Sequence, residues 1–458
     1  MNFGHIKNIH FVGIGGIGMS GLAEILTSLA VRISGCDAAS SPTTDRLLRA
    51  GIPISIGHDP AHAEQADLLV ISSAVRRTNP EVERARALQV PVIRRAEMLG
   101  ELTRLKRGIA VAGTHGKTTT SAMIAIVLAE ASLDPTLIVG GVLRNYSASA
   151  RLGSGEFLVV EADEYDRSFL TLYPTFAIVT NIEADHLDIY EDLDDIRRTF
   201  AEFANRVPFY GAVIGCADDP NVVALLDSIE KRRIRYGLGE GAELRAIDLR
   251  FEGRGSRFAV TRSGEPIGEV TLRVPGEHNV RNALAALAVA LELEVPFPTA
   301  AAGLERFEGV ERRFQILGTC RGAMVVDDYA HHPTEVRATL EAARSGYPGR
   351  RIIALFQPHL YTRTRDFHAE FAEALSVADL AFVAPIYPAR EEPIAGVSST
   401  MITEAASRRG HSNVRDLEGD LDRLAEQIRV EIDGDDVFLT MGAGDVHKVG
   451  EILAGGAA

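Results

Sequence analysis

Cysteine is scarce in this chain. Cys36, Cys216 and Cys320 lie far apart among 458 residues and form no Cys-x-x-Cys pair. That usage opposes a disulfide scaffold and a thiolate zinc site, and it suits a reducing compartment. Long apolar runs are absent as well. No stretch is long and apolar enough to span a bilayer, and the N-terminus lacks a basic segment followed by an uninterrupted apolar one. The expectation is a cytoplasmic protein with no membrane partner. Nor is there an excess of cations: 48 Lys and Arg face 63 Asp and Glu, a net charge of −15. This argues against a nucleic-acid partner, which needs a broad basic face. Charged residues make up 24% and apolar residues 46%, ordinary for a globular protein. The length implies about three domains. No repeat of fixed period and no low-complexity tract interrupts the chain.

What is present is a phosphate-binding pattern. In Ile109-Ala-Val-Ala-Gly-Thr-His-Gly-Lys-Thr-Thr-Thr120 a short apolar run enters a glycine turn, and an apolar-periodic helix follows. Strand, turn and helix N-terminus form an anion site, with Lys117 as a point charge and a Thr hydroxyl within reach of Mg²⁺. Gly113 and Gly116 are too close together for a strict Walker A loop.

Three modules follow from the pattern of strands. The first opens with Asn8-Ile-His-Phe-Val-Gly-Ile-Gly-Gly-Ile-Gly-Met19, a strand entering a glycine turn and a helix. A second strand over 31–34 ends near Asp37, where an acidic residue often holds a ribose hydroxyl. Further strands are expected at 68–71 and 90–93, with Ser72-Ser-Ala74 just past a strand end. The second module has expected strands at 109–112, 136–139, 157–160, 177–180 and 212–215, then an antiparallel appendage over 237–276 and a helix over 279–294. The third has expected strands at 324–326, 352–355, 380–383 and 437–440. The domains are therefore drawn at 1–105, 106–313 and 314–458.

Polar clusters sit just beyond the expected strand ends, where open α/β sheets bind ligands. Glu161-Ala-Asp-Glu-Tyr-Asp166 offers hard oxygen ligands for Mg²⁺, Glu161 first among them. In Thr180-Asn-Ile-Glu-Ala-Asp-His186, His186 offers a nitrogen to a metal and Asp185 could orient it. Gly276-Glu-His-Asn-Val-Arg-Asn282 reads equally as a helix cap or a purine contact. Asp327-Asp-Tyr-Ala-His-His-Pro-Thr-Glu335 offers Asp327 and Asp328 to a ribose diol, and Arg363 and Arg365 suit a carboxylate or phosphate.

Taken together these motifs resemble the Mur ligases, ATP-dependent amide-forming enzymes of peptidoglycan synthesis, over nearly the whole chain. The resemblance rests on Gly113-Thr-His-Gly-Lys-Thr118, His10-Phe-Val-Gly-Ile-Gly-Gly-Ile-Gly-Met19, Glu161-Ala-Asp-Glu164, Asn181-Ile-Glu-Ala-Asp-His186, Asp327-Asp-Tyr-Ala-His-His-Pro333 and Phe356-Gln-Pro-His359. It implies an α/β, three-domain architecture: a Rossmann-like N-terminal domain, a central P-loop ATPase-like domain and a C-terminal α/β domain. It implies ligation of L-alanine to UDP-N-acetylmuramate through an acyl phosphate, with ATP as co-substrate and Mg²⁺ as cofactor, by a monomer or weak homodimer. The UDP-sugar would lie on Gly15, Gly16 and Gly18 with Ser73 nearby. ATP phosphates would lie on Gly113, Thr114, His115, Gly116, Lys117, Thr118 and Thr119, with Lys117 on the β and γ groups. Thr118, Glu161 and His186 match magnesium positions, Asn282 an adenine contact, Arg313 a phosphate contact and Asp327 a ribose contact. His331 and Arg363 match residues around the amino-acid acceptor, with His331 the candidate to assist loss of the alanine ammonium proton.

Three alternatives stand beside this, one of them a non-catalytic nucleotide-dependent regulator with the same fold. A recycling ligase that attaches a murein tripeptide to the same UDP-sugar shares the first two motifs; Phe356-Gln-Pro-His359 with Thr362-Arg-Thr-Arg365 favours alanine. An NAD-dependent oxidoreductase would explain the N-terminal glycines and Asp37 but not the P-loop. One departure from the wider family concerns a carbamylated lysine that several members use to hold a second Mg²⁺. The five lysines here are Lys7, Lys106, Lys117, Lys231 and Lys448, and none falls between Lys117 and Lys231.

Overall fold

The computed structural model describes residues 3–29, 31–72, 74–186, 189–389 and 391–455. Contacts divide the chain into two compact units: Met1–Ile247 with Ala259–Val270 and Arg281–Phe307, and Asp248–Phe258 with Thr271–Val280 and Glu308–Ala458.

The first sheet contains β1 (Asn8–Val12), β2 (Arg32–Asp37), β3 (Ile54–Ile56), β4 (Leu68–Ile71) and β5 (Val92–Arg94). All pairings are parallel, in the order β3-β2-β1-β4-β5. Alternate residues feed separate cores. Phe11 and Val70 pack with Leu22 and Leu26, whereas Val12 and Leu69 pack with Ala63 and Ala85. Burial on both faces explains why these strands read as continuous apolar runs. The order reverses between β1 and β4, which opens a crevice at their carboxyl ends.

The second sheet contains β6 (Arg107–Ala112), β7 (Thr136–Leu143), β8 (Ala148–Arg151), β9 (Phe157–Glu161), β10 (Phe176–Val179), β11 (Ala212–Cys216), β12 (Arg233–Gly237), β13 (Leu244–Glu252), β14 (Gly255–Arg262) and β15 (Glu265–Leu272). Its order is β15-β14-β13-β12-β11-β10-β6-β9-β7-β8. From β12 to β7 the pairings are parallel, and β8 is an antiparallel edge. The expected appendage over 237–276 is a three-strand meander that continues the main sheet, because β13 pairs with β12. Central β6 carries Ile109–Ala112 fully buried. Its register puts Val111 beside Glu161 and Ala112 beside Val179. The glycine loop, the acidic cluster and the segment 180–186 thus leave three adjacent strand ends.

The second unit holds a sheet of β16 (Gln315–Cys320), β17 (Ala323–Asp328), β18 (Ile352–Phe356), β19 (Leu380–Val383), β20 (Val414–Asp416) and β21 (Val437–Met441), in the order β16-β17-β21-β18-β19-β20. Only β16 is antiparallel to its neighbour. Val326, Ala354 and Leu439 face one core; Val325, Ile353 and Phe438 face the other. No helix among the described residues is long and apolar enough to cross a membrane.

Candidate active site

The glycine loop between β6 and helix Lys117–Glu130 is shaped by close approach. At Gly113, with φ +138°, an added Cβ would lie 2.0 Å from Thr180 Oγ1. At Gly116, the left-handed N-cap with φ +82°, it would lie 2.8 Å from Asn282 Oδ1. Both conformation and space call for glycine here. The amides of Thr114 and His115 donate to the Asn181 carbonyl and side-chain oxygen at 3.1 and 2.8 Å. Glu183 N donates to Thr114 Oγ1 at 2.9 Å. The loop is therefore fastened to the segment after β10. The anion-binding donors at the opening of the helix are those of its first turn, which have no intrahelical acceptor. Asn282, on helix Glu277–Glu292, accepts from Thr120 Oγ1 at 3.0 Å. The structure thus brings Asn282 to the glycine loop.

Lys117 turns its ammonium back over this loop. Nζ donates to Gly113 O at 2.6 Å and Thr114 O at 3.2 Å, and to both Glu164 oxygens at 2.7 and 3.0 Å. Burial alone would push its pKa down, but the charge of Glu164 and then Asp163 more than reverses this, and the lysine stays protonated. Sequence reasoning included Glu164 in the acidic run but did not single it out as the lysine's partner. His186 lies beside the same carboxylate, Nε2 3.7 Å from Glu164 Oε1 and 3.9 Å from Asp185 Oδ2, on a backbone with φ +55°.

Glu161 closes β9. Its Oε2 accepts from Gly140 N at 2.9 Å, whereas Oε1 is buried with no hydrogen-bond partner. Burial pushes the carboxyl's pKa up, opposed by the Thr118 hydroxyl and Lys117 beside it. A buried carboxylate oxygen lacking a donor, next to a threonine hydroxyl, fits a small hard cation.

In the second unit, Arg313 Nη1 lies 3.2 Å from Glu335 Oε1. Glu335 Oε2 also accepts from His331 N at 3.1 Å, and His331 Nδ1 lies 3.0 Å from Tyr329 O. Burial lowers the His331 pKa to about 4, helped by the charge of Arg363, so the ring is neutral at pH 7. Its remaining nitrogen is suited to accepting a hydrogen bond but is a weak base. Arg363 is buried on helix Tyr361–Leu375, whereas Arg365 is exposed and pairs with Asp366 at 2.7 Å. The two arginines are therefore not equivalent. Asp327 is almost fully buried, and each of its oxygens has one donor: Oδ2 accepts from Arg312 Nε at 3.0 Å and Oδ1 from Thr440 Oγ1 at 2.8 Å, which leaves each a second acceptor site. Asp328 accepts from the amides of Phe314 and Ala330, both at 2.8 Å. Glu335 was not assigned a role from sequence; its spacing of four from His331 at a helix start was the available signal.

The first sheet has a cleft of about 530 Å³ at its crevice, lined by Gly13, Gly16, Asp37, His58, Ser72 and Arg76 among others. Gly15 N donates to Asp37 Oδ2 at 2.8 Å. A Cβ at Gly18 would meet Arg95 Nη1 at 2.8 Å, so that glycine admits an arginine the sequence reading overlooked. Ser73 lies outside the described residues.

Comparison with known proteins agrees with this arrangement. Residues 8–107 match the family model described as "Mur ligase family, catalytic domain", 111–290 the "Mur ligase middle domain" and 312–444 the "Mur ligase, glutamate ligase domain". The chain belongs to the Mur ligase family. It is 49% identical to the UDP-N-acetylmuramate–L-alanine ligase of Geobacter sp. (strain M21) over 451 residues, 98% of each chain. It is 48% identical to the ligase of that name from Geobacter sulfurreducens, over 98% of this chain and 97% of the relative. Among solved structures it is similar to the UDP-N-acetylmuramate–alanine ligase of Thermotoga maritima, with TM-score 0.81 and 32% identity over 98% of each chain. The murein peptide ligase of Psychrobacter arcticus 273-4 is more distant, with TM-score 0.69 and 26% identity over 98% of each chain.

Proposed function

We propose that this chain joins L-alanine to UDP-N-acetylmuramate with conversion of ATP to ADP and phosphate, a step of peptidoglycan precursor synthesis. The observation that carries the reading is the end-to-end likeness, at 49% identity, to ligases of that name. In this reading the lactyl carboxylate attacks the γ-phosphate, giving an acyl phosphate and ADP. The alanine amine then attacks the acyl carbon and phosphate leaves.

The residues divide the work by charge. Lys117 and the first-turn amides of its helix hold the β- and γ-phosphates, and Arg313 neutralises further phosphate charge. Asn282 faces adenine. Asp327 acts on the ribose side through Arg312 and Thr440 as well as directly. Gly15, Gly16 and Gly18, with Ser73, serve the UDP-sugar. Arg363 takes the carboxylate of L-alanine in a charge-assisted pair. Neutral His331 accepts a hydrogen bond from the incoming amine and orients it. Thr118, Glu161 and His186 would hold Mg²⁺, which when bound neutralises phosphate charge. Three cysteines without a disulfide fit a cytoplasmic enzyme.

An ADP-release assay with UDP-N-acetylmuramate and a panel of acceptors tests the reading. Turnover is expected with L-alanine. Turnover with the murein tripeptide but not with L-alanine would replace it with the recycling activity.

A further inference from the structure

A second group of ligating side chains lies beneath the glycine loop of the first sheet, apart from the ATP machinery. His10 on β1, Cys36 on β2, His62 on the short helix Ala61–Glu64 and Glu81 on helix Pro80–Ala87 each present one ligand atom, all within 4.8 Å of one another. Glu81 is the hub and is fully buried. Its Oε1 is 2.7 Å from His62 Nδ1, and its Oε2 is 3.1 Å from Cys36 Sγ and 3.8 Å from His10 Nε2. His58 Nδ1 flanks the group, 3.4 Å from Cys36 Sγ and 3.6 Å from Glu81 Oε1.

Ordinary hydrogen bonding accounts for the Glu81 carboxylate but not for His10 Nε2. Among the described residues no Lys or Arg pairs with the Glu81 carboxylate; it is faced by imidazoles, by the Cys36 thiol and by the Asp59 amide, which donates to Oε1 at 3.1 Å. His10 is 4% exposed, and its Nε2 has no hydrogen-bond partner. Its Nδ1 lies 2.9 Å from Ser34 Oγ. Donation from Nδ1–H to Ser34 leaves the Nε2 lone pair directed at Cys36 and Glu81, which is how a metal-ligating histidine is set by its outer partner. Burial also holds the His10 ring neutral, its pKa lowered to about 4.

We propose that His10, Cys36, His62 and Glu81 form a binding site for one borderline-soft divalent transition ion of the Zn²⁺ class. One thiolate and one carboxylate neutralise the dication, and two neutral imidazoles complete a tetrahedral N₂SO set. Tetrahedral bonds of about 2.0–2.3 Å place ligand atoms roughly 3.3–3.8 Å apart, close to the spacings Glu81 already has to Cys36 and His10. On binding, the Cys36 thiol loses its proton to solvent, and the His62 proton moves from Nδ1 to Nε2 by exchange with solvent, so that Nδ1 gives up its hydrogen bond to Glu81 and bonds the metal. Mg²⁺ prefers six oxygens and does not compete for this set. His62 is partly exposed and His58 lines the 530 Å³ cleft, so an ion has a way in. The Cys36 carbonyl also accepts the amides of Gly13 and Ile14 at 2.9 and 3.0 Å. The ion would therefore brace the floor of that cleft. The cysteine spacing opposed a thiolate zinc site; a single thiolate drawn together with three residues from separate elements leaves no spacing signature.

Cobalt titration of the full chain in millimolar Mg²⁺ tests the site. One equivalent of Co²⁺ is expected to give a thiolate-to-cobalt charge-transfer band with tetrahedral visible absorption, bleached by one equivalent of Zn²⁺. Cys36→Ser should abolish the band, while Cys216→Ser and Cys320→Ser keep it. His62→Ala, on a part-exposed helix, removes a direct ligand and should weaken Zn²⁺ binding by at least the roughly 10–100-fold that loss of an outer-shell partner costs, with the circular-dichroism spectrum retained. Absence of the band in folded wild-type protein overturns the proposal, as does a band that survives Cys36→Ser. If Cys36→Ser does not fold, His62→Ala decides, and unchanged Zn²⁺ affinity there overturns it.

Discussion

Lys117 Nζ sits 2.7 Å from Glu164 Oε2, so the lysine proposed to hold phosphate already has an anionic partner of its own chain. A nucleotide must take over this lysine from a carboxylate. The exchange swaps one charge-assisted contact for another, which lowers the net gain from binding but holds the lysine charged and in place.

Lys117→Ala is expected to lower kcat by at least about 10²–10³-fold, the scale of losing a preorganised charge donor. The affinity for UDP-N-acetylmuramate should be unchanged, because the proposed sugar-nucleotide cleft belongs to the first sheet. Calorimetric titration of the variant checks the separation, and a parallel loss of sugar-nucleotide affinity would contradict it.

Arg363→Ala should raise the KM for L-alanine roughly 10–150-fold, the equivalent of a charge-assisted bond of about 1.5–3 kcal/mol. The KM for ATP should not follow. Steady-state kinetics with each substrate varied in turn decides it, and an equal rise in both removes Arg363 from the acceptor site.

Asp328 links stability to pH. Burial raises its folded-state pKa from 3.8 to about 6. Between those values the folded chain keeps a proton that the unfolded chain has released. The resulting stability is full below the unfolded value and is lost as pH rises through about 6. Relative to Asp328→Asn, which lacks this titration, the wild type should lose up to about 3 kcal/mol between pH 4 and pH 7.5. Denaturant unfolding of both proteins at the two pH values measures the difference. A constant difference would show that Asp328 titrates normally.

Activity should be independent of carbon dioxide. Lys106 donates to the carbonyls of Gly153 and Gly155 at 3.0 and 2.6 Å, and Lys117 is held by Glu164. No lysine lies between Lys117 and Lys231 to carry a carbamate. Degassed, bicarbonate-free buffer should leave kcat unchanged, while His186→Ala should raise the Mg²⁺ concentration for half-maximal rate. Restoration of a CO₂-depleted enzyme by bicarbonate at constant pH would falsify this.

Much of the architecture was legible because parallel strands buried on both faces are short apolar runs. The expected strands at 68–71 and 380–383 coincide with β4 and β19, and most others differ by a residue or two at their ends. Short strands at sheet margins were not read. The Ile54–Ile56 and Val414–Asp416 strands have only three residues; inside the second sheet, Arg233–Gly237 is obscured by the basic run before it. At the site, residue types marked the right loops, but partner choice was not encoded locally. Nothing in Glu161-Ala-Asp-Glu164 tells which carboxylate meets the lysine and which keeps a vacant oxygen. That depends on where β9 ends and on the register of β9 against β6. Arg363 and Arg365 look alike in sequence, and the helix phase alone buries one and exposes the other.

The fastening of Thr114 and His115 to Asn181 bears on how a nucleotide is received. A long, loose phosphate loop gives up conformational entropy when a ligand orders it. This short loop is ordered by its own chain and has little left to lose. The tether therefore acts on ligands of every phosphate count alike. Discrimination between triphosphate and diphosphate falls to side chains that reach the terminal group, and spent nucleotide can depart without the loop having to unfold.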